Sequence, residues 1–400
     1  MGKITWIAEG DTTIVNCCLG VTLMLDLIGS APVVALLGMC KNAGKTTAMN
    51  RLIRELAAAD SGVTALTSIG RDGESRDLVT GTEKPPIYIY EGMLAATAEA
   101  LLPVCDVSRE LLAMTGLHTS LGEVAVFRAR SDGFVQLAGP GIVEQLAALR
   151  VLLENLGADR LLIDGALSRR SPAAGASDGA CILSTGASLD RDLDRVVAET
   201  AFAAGLLCLP EQSAPGPEQG RITLYLGEAE PRRAASSRPA ADMAPSRREL
   251  SAKPTEGVPR GPGACPRHGL RQRPAPLPAQ GFADFPALID ALRKTRGPAT
   301  LRLSGALTEA QARALLQSGQ CREGLTLLAG DGSRLLLRRE TFEALRARGL
   351  RFAVLRGTRL AAITVNPVSA GGWRFDPTEF RDAMQAAVKV PVIDVLAETS

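Results

Sequence analysis

The chain has 400 residues, 46% of them apolar, and a formal net charge of +2. That length accommodates two or three domains with a substantial core. The near-neutral balance offers no electrostatic case for nucleic acid or for an anionic membrane surface. Eight cysteines form no Cys-x-x-Cys pair and accompany only two histidines, His118 and His268. Neither a zinc site nor a disulfide framework is therefore expected, and the thiols read as those of a reducing cytoplasm.

Residues 1–30 read as an N-terminal extension or an overextended start. Thr12 to Leu37 is apolar, yet Asn16, Asp26 and Pro32 interrupt it and Glu9 and Asp11 oppose a signal peptide. A short helix or strand packed on the next domain is expected, with no membrane span.

Residues 31–227 alternate apolar strands with helices, the pattern of a mainly parallel sheet covered on both faces. The expected strands are Val33–Leu37, Thr64–Ser68, Glu123–Phe127, Arg160–Ile163, Cys181–Ser184 and Ile222–Leu226. The expected helices are Thr46–Ala59, Leu94–Leu102, Arg109–Thr115, Ile142–Leu156 and Leu189–Ala204.

The most informative segment joins the first of these strands to the first helix: Gly38-Met39-Cys40-Lys41-Asn42-Ala43-Gly44-Lys45-Thr46-Thr47. A strand, a Gly-containing loop ending in Gly-Lys-Thr, and a helix form the order of a phosphate-binding P-loop (Walker A). Backbone N–H groups of Asn42, Ala43 and Gly44 would wrap phosphate oxygens, and the helix N-terminus would add its partial positive charge. Lys45 is expected on the β- and γ-phosphates, Thr46 on Mg²⁺, and Thr47 on the α-phosphate. Lys41 reads equally as a second phosphate contact or a solvated lysine. Gly38 stands one place earlier than in the commonest pattern, with Met39 at the usual glycine position; this longer spacing is similar to that of dethiobiotin synthetase. The bland alternative is a Gly-rich turn bearing a surface lysine.

Two strand ends supply carboxylates. Asp164 closes Arg160–Ile163 and is the expected metal partner; a helix-capping role is the alternative. Asp72 and Glu74, after Thr64–Ser68, read either as a second metal or water-orienting group or as a solvated turn. Ser184-Thr185-Gly186-Ala187-Ser188 is a candidate lining for the base or ribose. No Asn-Lys-x-Asp pattern for guanine is present, which favours ATP over GTP. His118 reads as a structural histidine rather than a ligand contact.

Residues 228–281 change character to Pro, Ala, Ser, Gly and Arg without apolar periodicity, as in a disordered linker. Residues 282–400 read as a smaller α/β domain. Its expected strands are Ala299–Leu303, Arg351–Leu355, Ala361–Val365 and Val392–Val395, with helices at Thr308–Gln317, Glu340–Arg348 and Pro377–Ala387, the last capped by Asp376. Leu325–Ala329, Gly330-Asp331-Gly332-Ser333 and Arg334–Leu337 read as a hairpin. Asn366 to Trp373 reads as a docking or gating loop, or as a structural loop with Trp373 plugging the small domain's core.

Together Gly38–Thr46, Thr67-Ser68-Ile69-Gly70-Arg71-Asp72-Gly73-Glu74, Ile163-Asp164-Gly165-Ala166, Thr364-Val365-Asn366-Pro367 and Pro391-Val392-Ile393-Asp394-Val395 carry a resemblance. The chain resembles the reactivase subunit that accompanies lysine 5,6-aminomutase. That resemblance implies a nucleotide-driven chaperone that opens an adenosylcobalamin-dependent mutase so that damaged cofactor exchanges. It also implies a second ATPase subunit as partner. The long Pro/Arg-rich segment and the extended N-terminus depart from the family pattern. The competing expectations are a small-molecule ATP-dependent enzyme of the dethiobiotin synthetase type and a nucleotide-gated regulatory protein.

Overall fold

The computed structural model describes residues 5–8, 11–14, 23–69, 86–165, 179–227 and 279–397. The N-terminal elements are an antiparallel ladder, β1 (Thr5–Ala8) and β2 (Asp11–Ile14), then helix α1 (Met24–Ile28). The next run is β3 (Val33–Gly38), α2 (Lys45–Ala58), β4 (Thr64–Ser68), β5 (Ile87–Ile89), β6 (Leu94–Ala98), β7 (Arg109–Thr119), β8 (Gly122–Ala129) and β9 (Gly133–Val135). Helix α3 (Val143–Asn155), β10 (Arg160–Asp164), β11 (Ala180–Gly186) and α4 (Leu193–Leu207) follow. The second lobe contains β12 (Ile222–Leu226), β13 (Ala279–Phe282), α5 (Phe285–Lys294), β14 (Ala299–Leu303), β15 (Leu307–Thr308), α6 (Glu309–Gln317), β16 (Leu325–Ala329), β17 (Leu335–Leu336), α7 (Arg339–Ala347) and β18 (Arg351–Val354). The chain ends with β19 (Arg359–Asn366), α8 (Pro377–Ala387) and β20 (Val392–Asp394).

The main sheet has nine strands in the order β20-β19-β11-β3-β10-β4-β6-β8-β7. Pairing is parallel from β20 through β6, and antiparallel only at β6-β8 and β8-β7. The molecule is thus a mixed α/β protein with a large, mainly parallel sheet. Helices α1 and α2 cover one face and α3, α4 and α8 the other, each over its own apolar core. All six residues of β3 are buried, as a central strand covered on both sides requires. In α2, Ala48, Met49, Leu52, Ile53 and Leu56 are buried, a helical stripe facing the sheet.

The second sheet, β13-β12-β14-β16-β18, has its own core. It is an insertion. The chain leaves the first lobe after α4, builds the second sheet and returns as β19, which pairs with β11. Its two necks touch: Val354 N–H donates to Pro210 O at 3.0 Å, and Gln212 N–H to Val354 O at 2.8 Å. The strand pairing therefore cuts across the boundaries expected from composition. Ile222–Leu226 belongs to the second sheet, whereas β19 and β20 belong to the first. Residues 228–278 run in sequence between β12 and β13, which are antiparallel neighbours, so both strands that flank the segment belong to the second sheet. Composition marks the segment but carries no information on which strands flank it.

Three elements differ from the pattern reading. Arg109–Thr119 is a strand, not a helix: two register shifts against β8 break its alternation and give Leu111, Leu112 and Met114 a helix-like spacing. Leu94–Ala98 is a fully buried strand despite its helix-forming Leu and Ala, because a slot between β4 and β8 overrides propensity. Only Glu99–Val104 coils, as a 3₁₀ turn. The expected hairpin at Gly330–Ser333 is absent. Asp331 instead caps a 3₁₀ turn, accepting from Ser333 N–H at 2.9 Å, and β16 pairs in parallel with β18.

Replacing residues 229–277 by a short Gly/Ser turn is expected to leave both lobes folded. A shorter closure between paired strands raises stability by about 1–2 kcal/mol. Thermal unfolding followed by circular dichroism checks this; loss of the folded baseline would contradict the hairpin-neighbour topology.

Candidate functional site

The parallel order brings the carboxyl ends of β3, β10, β11 and β19 to one edge, where ligands of open α/β sheets gather. β3 ends at Gly38, and the 38–47 segment turns back over this edge. Met39 N–H donates to Ser184 O at 2.8 Å, which ties the segment to β11. Asn42 and Gly44 adopt positive φ, 62° and 89°. Lys41 and Asn42 are exposed, Ala43 is buried, and Gly44 precedes the first residue of α2. No side chain caps α2, so its first N–H groups face the loop, an arrangement that attracts anions.

Lys45, the first residue of α2, forms an ion pair through Nζ with Oδ1 of Asp164 at the end of β10. The two expected charge-bearing residues thus meet. They are separated by 119 positions in the chain, and the β3–β10 pairing joins them. Thr46 and Thr47 lie in the first turn of α2, half-buried, and among the described residues neither hydroxyl has a hydrogen-bond partner. Asp72 and Glu74 lie outside the described residues, so Thr46 and Asp164 are the described members of the expected metal set. Cys40 is half-buried, and burial pushes its thiol up to about 11, which keeps it protonated and unreactive at neutral pH.

Pattern reading missed how closely Asn366 approaches the loop. A Cβ on Gly44 would stand 2.9 Å from Asn366 Cβ and 3.3 Å from Val395 Cγ2. One on Gly186 would stand 2.8 Å from Asn366 O and 3.5 Å from Ala43 O. Asn366 Nδ2 donates to Asn42 O at 3.3 Å, and Ala187 N–H donates to Asn366 O at 2.9 Å. The available signal was the pair of glycines at strand or loop ends, each marking a close approach.

The candidate base lining divides. Ser184 and Thr185 are fully buried: Thr364 hydroxyl donates to Ser184 Oγ at 2.8 Å, and Thr185 and Thr200 hydroxyls pair at 2.8 Å. These two side chains hold strands and α4 together and are closed off from solvent. Ser188 accepts from Ala370 N–H at 3.2 Å. Trp373 does not plug the second lobe. Its Nε1 donates to Ala187 O at 3.1 Å, and the Arg191 guanidinium lies 4.6 Å from its ring centroid, so it clips the turns after β11 and β19 together. His118 sits on edge strand β7, its Nδ1 hydrogen-bonded to Gly116 O at 3.0 Å.

No protein-family model matches the chain, and no curated protein matches its sequence. Among the described residues no helix is long and apolar enough to cross a membrane.

Gly44→Ala is expected to cost about 1–3 kcal/mol in urea unfolding, from a side chain at positive φ pressed on Asn366. A neutral effect would show that the loop and β19 are not packed this tightly.

Proposed function

We propose that the chain binds a magnesium–nucleoside triphosphate, ATP in preference to GTP, on the 38–47 loop and hydrolyses it as a P-loop NTPase. The observation that carries this reading is the pairing of Lys45 with Asp164. A lysine at an uncapped helix start meets a carboxylate delivered by the neighbouring parallel strand.

The donor set fits such a ligand. The first N–H groups of α2 carry no side-chain cap, and Lys45, with the Thr46 hydroxyl beside it in the first turn, stands against Asp164 at the end of β10. Lys45 would exchange Asp164 for the β- and γ-phosphates, and the freed carboxylate with Thr46 would hold the metal. When bound, Mg²⁺ neutralises phosphate charge and polarises the γ-phosphoryl group. In hydrolysis a water oxygen attacks the γ-phosphorus and the bond to the β–γ bridging oxygen breaks, releasing diphosphate nucleotide and phosphate. Asp72 is the expected second carboxylate.

The use of that energy is the reactivation of an adenosylcobalamin-dependent aminomutase, together with a second ATPase subunit. This rests on the resemblance set out above. The inserted lobe supports a protein client rather than a small substrate, because its necks lead into β19 and so to Asn366 at the loop. Ordering of the loop on triphosphate binding would thereby reach the second sheet.

Lys45→Ala is expected to weaken Mg-ATP binding by about 10- to 100-fold in calorimetric titration; unchanged affinity would remove the loop from the site. Asp164→Asn should still bind, yet hydrolyse on the order of 100-fold more slowly. Wild-type turnover in that variant would take Asp164 away from the metal. For the client, aminomutase inactivated by turnover should recover activity only when this chain, its partner subunit and ATP are all present. Turnover that instead saturates with a small carboxylic acid would point to a metabolic enzyme.

A further inference from the structure

The small sheet of β5 and β9 turns one face to the first core and the other outward. Ile87, Ile89 and Val135 are buried in that core, and strand alternation puts Tyr88 and Phe134, which stand directly across from each other, on the opposite face. Tyr90 follows with its ring against Tyr88. We propose that this face docks a proline-rich, arginine-bearing segment of a partner protein in the polyproline II conformation, its prolines against the three rings and its arginines on the carboxylates around them. This does not depend on the triphosphate reading above.

Three observations carry it. First, the rings form one continuous surface. The Tyr88 centroid lies 5.3 Å from that of Tyr90 and 5.0 Å from that of Phe134, with the planes at 77° and 76°. Tyr88 is thus the middle ring, edge to face with each neighbour, and Phe134 keeps 42% of its surface exposed. Crossed planes leave furrows rather than a flat patch. A polyproline II helix has three residues per turn and rises about 3.1 Å per residue, so each of its ridges recurs every ~9 Å, and three rings at these spacings span about one turn. Two of the chain's three tyrosines stand here, and among the described residues neither hydroxyl has a hydrogen-bond partner. Polyproline II makes no internal hydrogen bonds, so its carbonyls are open to such donors.

Second, the rim is acidic. Glu91, Asp106 and Asp132 are all exposed. Asp106 Oδ1 accepts from Phe134 N–H, and Asp132 Oδ1 accepts at 2.9 Å from the N–H of Glu91, the residue after Tyr90. Among the described residues none of the three forms an ion pair. Arg109 stands close, its Nη1 directed to Cys105 O and Val107 O at 3.4 Å, and three carboxylates against one guanidinium leave the rim negative. An aromatic surface with such a rim matches a segment that is apolar along its length and cationic at intervals; an acidic segment is repelled. Third, the surface is anchored. Asn50 of α2 accepts from Tyr88 N–H at 3.0 Å and donates through Nδ2 to Pro86 O at 3.0 Å. The strand that carries the middle ring is thereby fastened to the helix that begins at Lys45. A preformed ligand on an anchored surface loses little entropy on docking.

Fluorescence anisotropy of labelled peptides titrated with the full chain tests this. The probe is a peptide of four Pro-Pro-Arg repeats; one control replaces its arginines by glutamate, the other its prolines by glycine and serine. The Pro-Pro-Arg peptide is expected to bind at least about tenfold more tightly than either control. Phe134→Ala should weaken it by roughly tenfold. Asp106→Asn and Asp132→Asn keep the oxygen that accepts the backbone N–H and remove the charge. Each should weaken binding by about threefold at low salt and lose that effect at about 0.5 M salt. These two variants leave the core untouched, so the test stays decisive should Phe134→Ala unfold. Equal binding of the glycine–serine control shows charge attraction alone and overturns the proposal. So does unchanged affinity in all three variants, or failure of the Pro-Pro-Arg peptide to bind the wild type.

Discussion

The contact on which this edge of the molecule depends is the approach of Asn366 to Gly44 and Gly186. Three segments remote in the chain converge there within van der Waals distance, which is possible because two of them lack a side chain. β19 must lie beside β11 for this contact to exist, and β11 beside β3. The loop conformation, with left-handed Asn42 and Gly44, is therefore secured by tertiary packing from the far end of the chain. Local turn chemistry alone does not hold it.

That dependence explains the insertion. The second lobe interrupts the first between α4 and β19, so any displacement of its necks bears on the strand that ends at the loop. Helix α4 faces both ways. Val196, Ala203, Ala204 and Leu207 pack on the first sheet, while Leu206 joins the core of the second, with Phe202 packed against it. A Cβ on Gly332 would fall 2.0 Å from Leu206 O, so the turn after β16 lies directly on α4. Two sheets that share one helix and a hydrogen-bonded neck are mechanically linked, so a displacement of the strand that ends at Asn366 has a short physical route to the second sheet.

Much of this was legible in the chain. Val33–Gly38, Thr64–Ser68, Ala299–Leu303 and Pro377–Ala387 are bounded by signals that act within a few residues: buried apolar runs, Gly-Lys-Thr, Asp376 before Pro377. The Lys45–Asp164 pairing was also foreseeable, because parallel strands deliver their carboxyl ends to one edge. What stayed hidden is non-local. No periodicity says that β19 returns to the first sheet or that residues 228–278 close a pair of neighbouring strands. In Arg109–Thr119 the bulges corrupted the very alternation that distinguishes strand from helix. Asn366 was read as part of a turn because Asn-Pro dictates one; its second role arises from Gly44, hundreds of positions away.

The ion pair between Lys45 and Asp164 sharpens the functional reading. Each side chain keeps 24% of its surface exposed, so solvent screens the pair and its net stabilisation is at most about 1 kcal/mol. It neutralises two charges that would otherwise repel no ligand and attract the wrong one: a free lysine at a helix N-terminus draws any anion, and a free carboxylate beside it draws any cation. A ligand that offers each a partner at once, an anion for Lys45 and a cation for Asp164, replaces the pair without leaving either charge unpaired. A metal-complexed phosphate does this; a simple carboxylate or a bare metal ion does not. Under the proposed triphosphate reading the weak pair costs little to open, so most of the binding energy of a metal–phosphate ligand would remain for ordering the loop against Asn366 and β19.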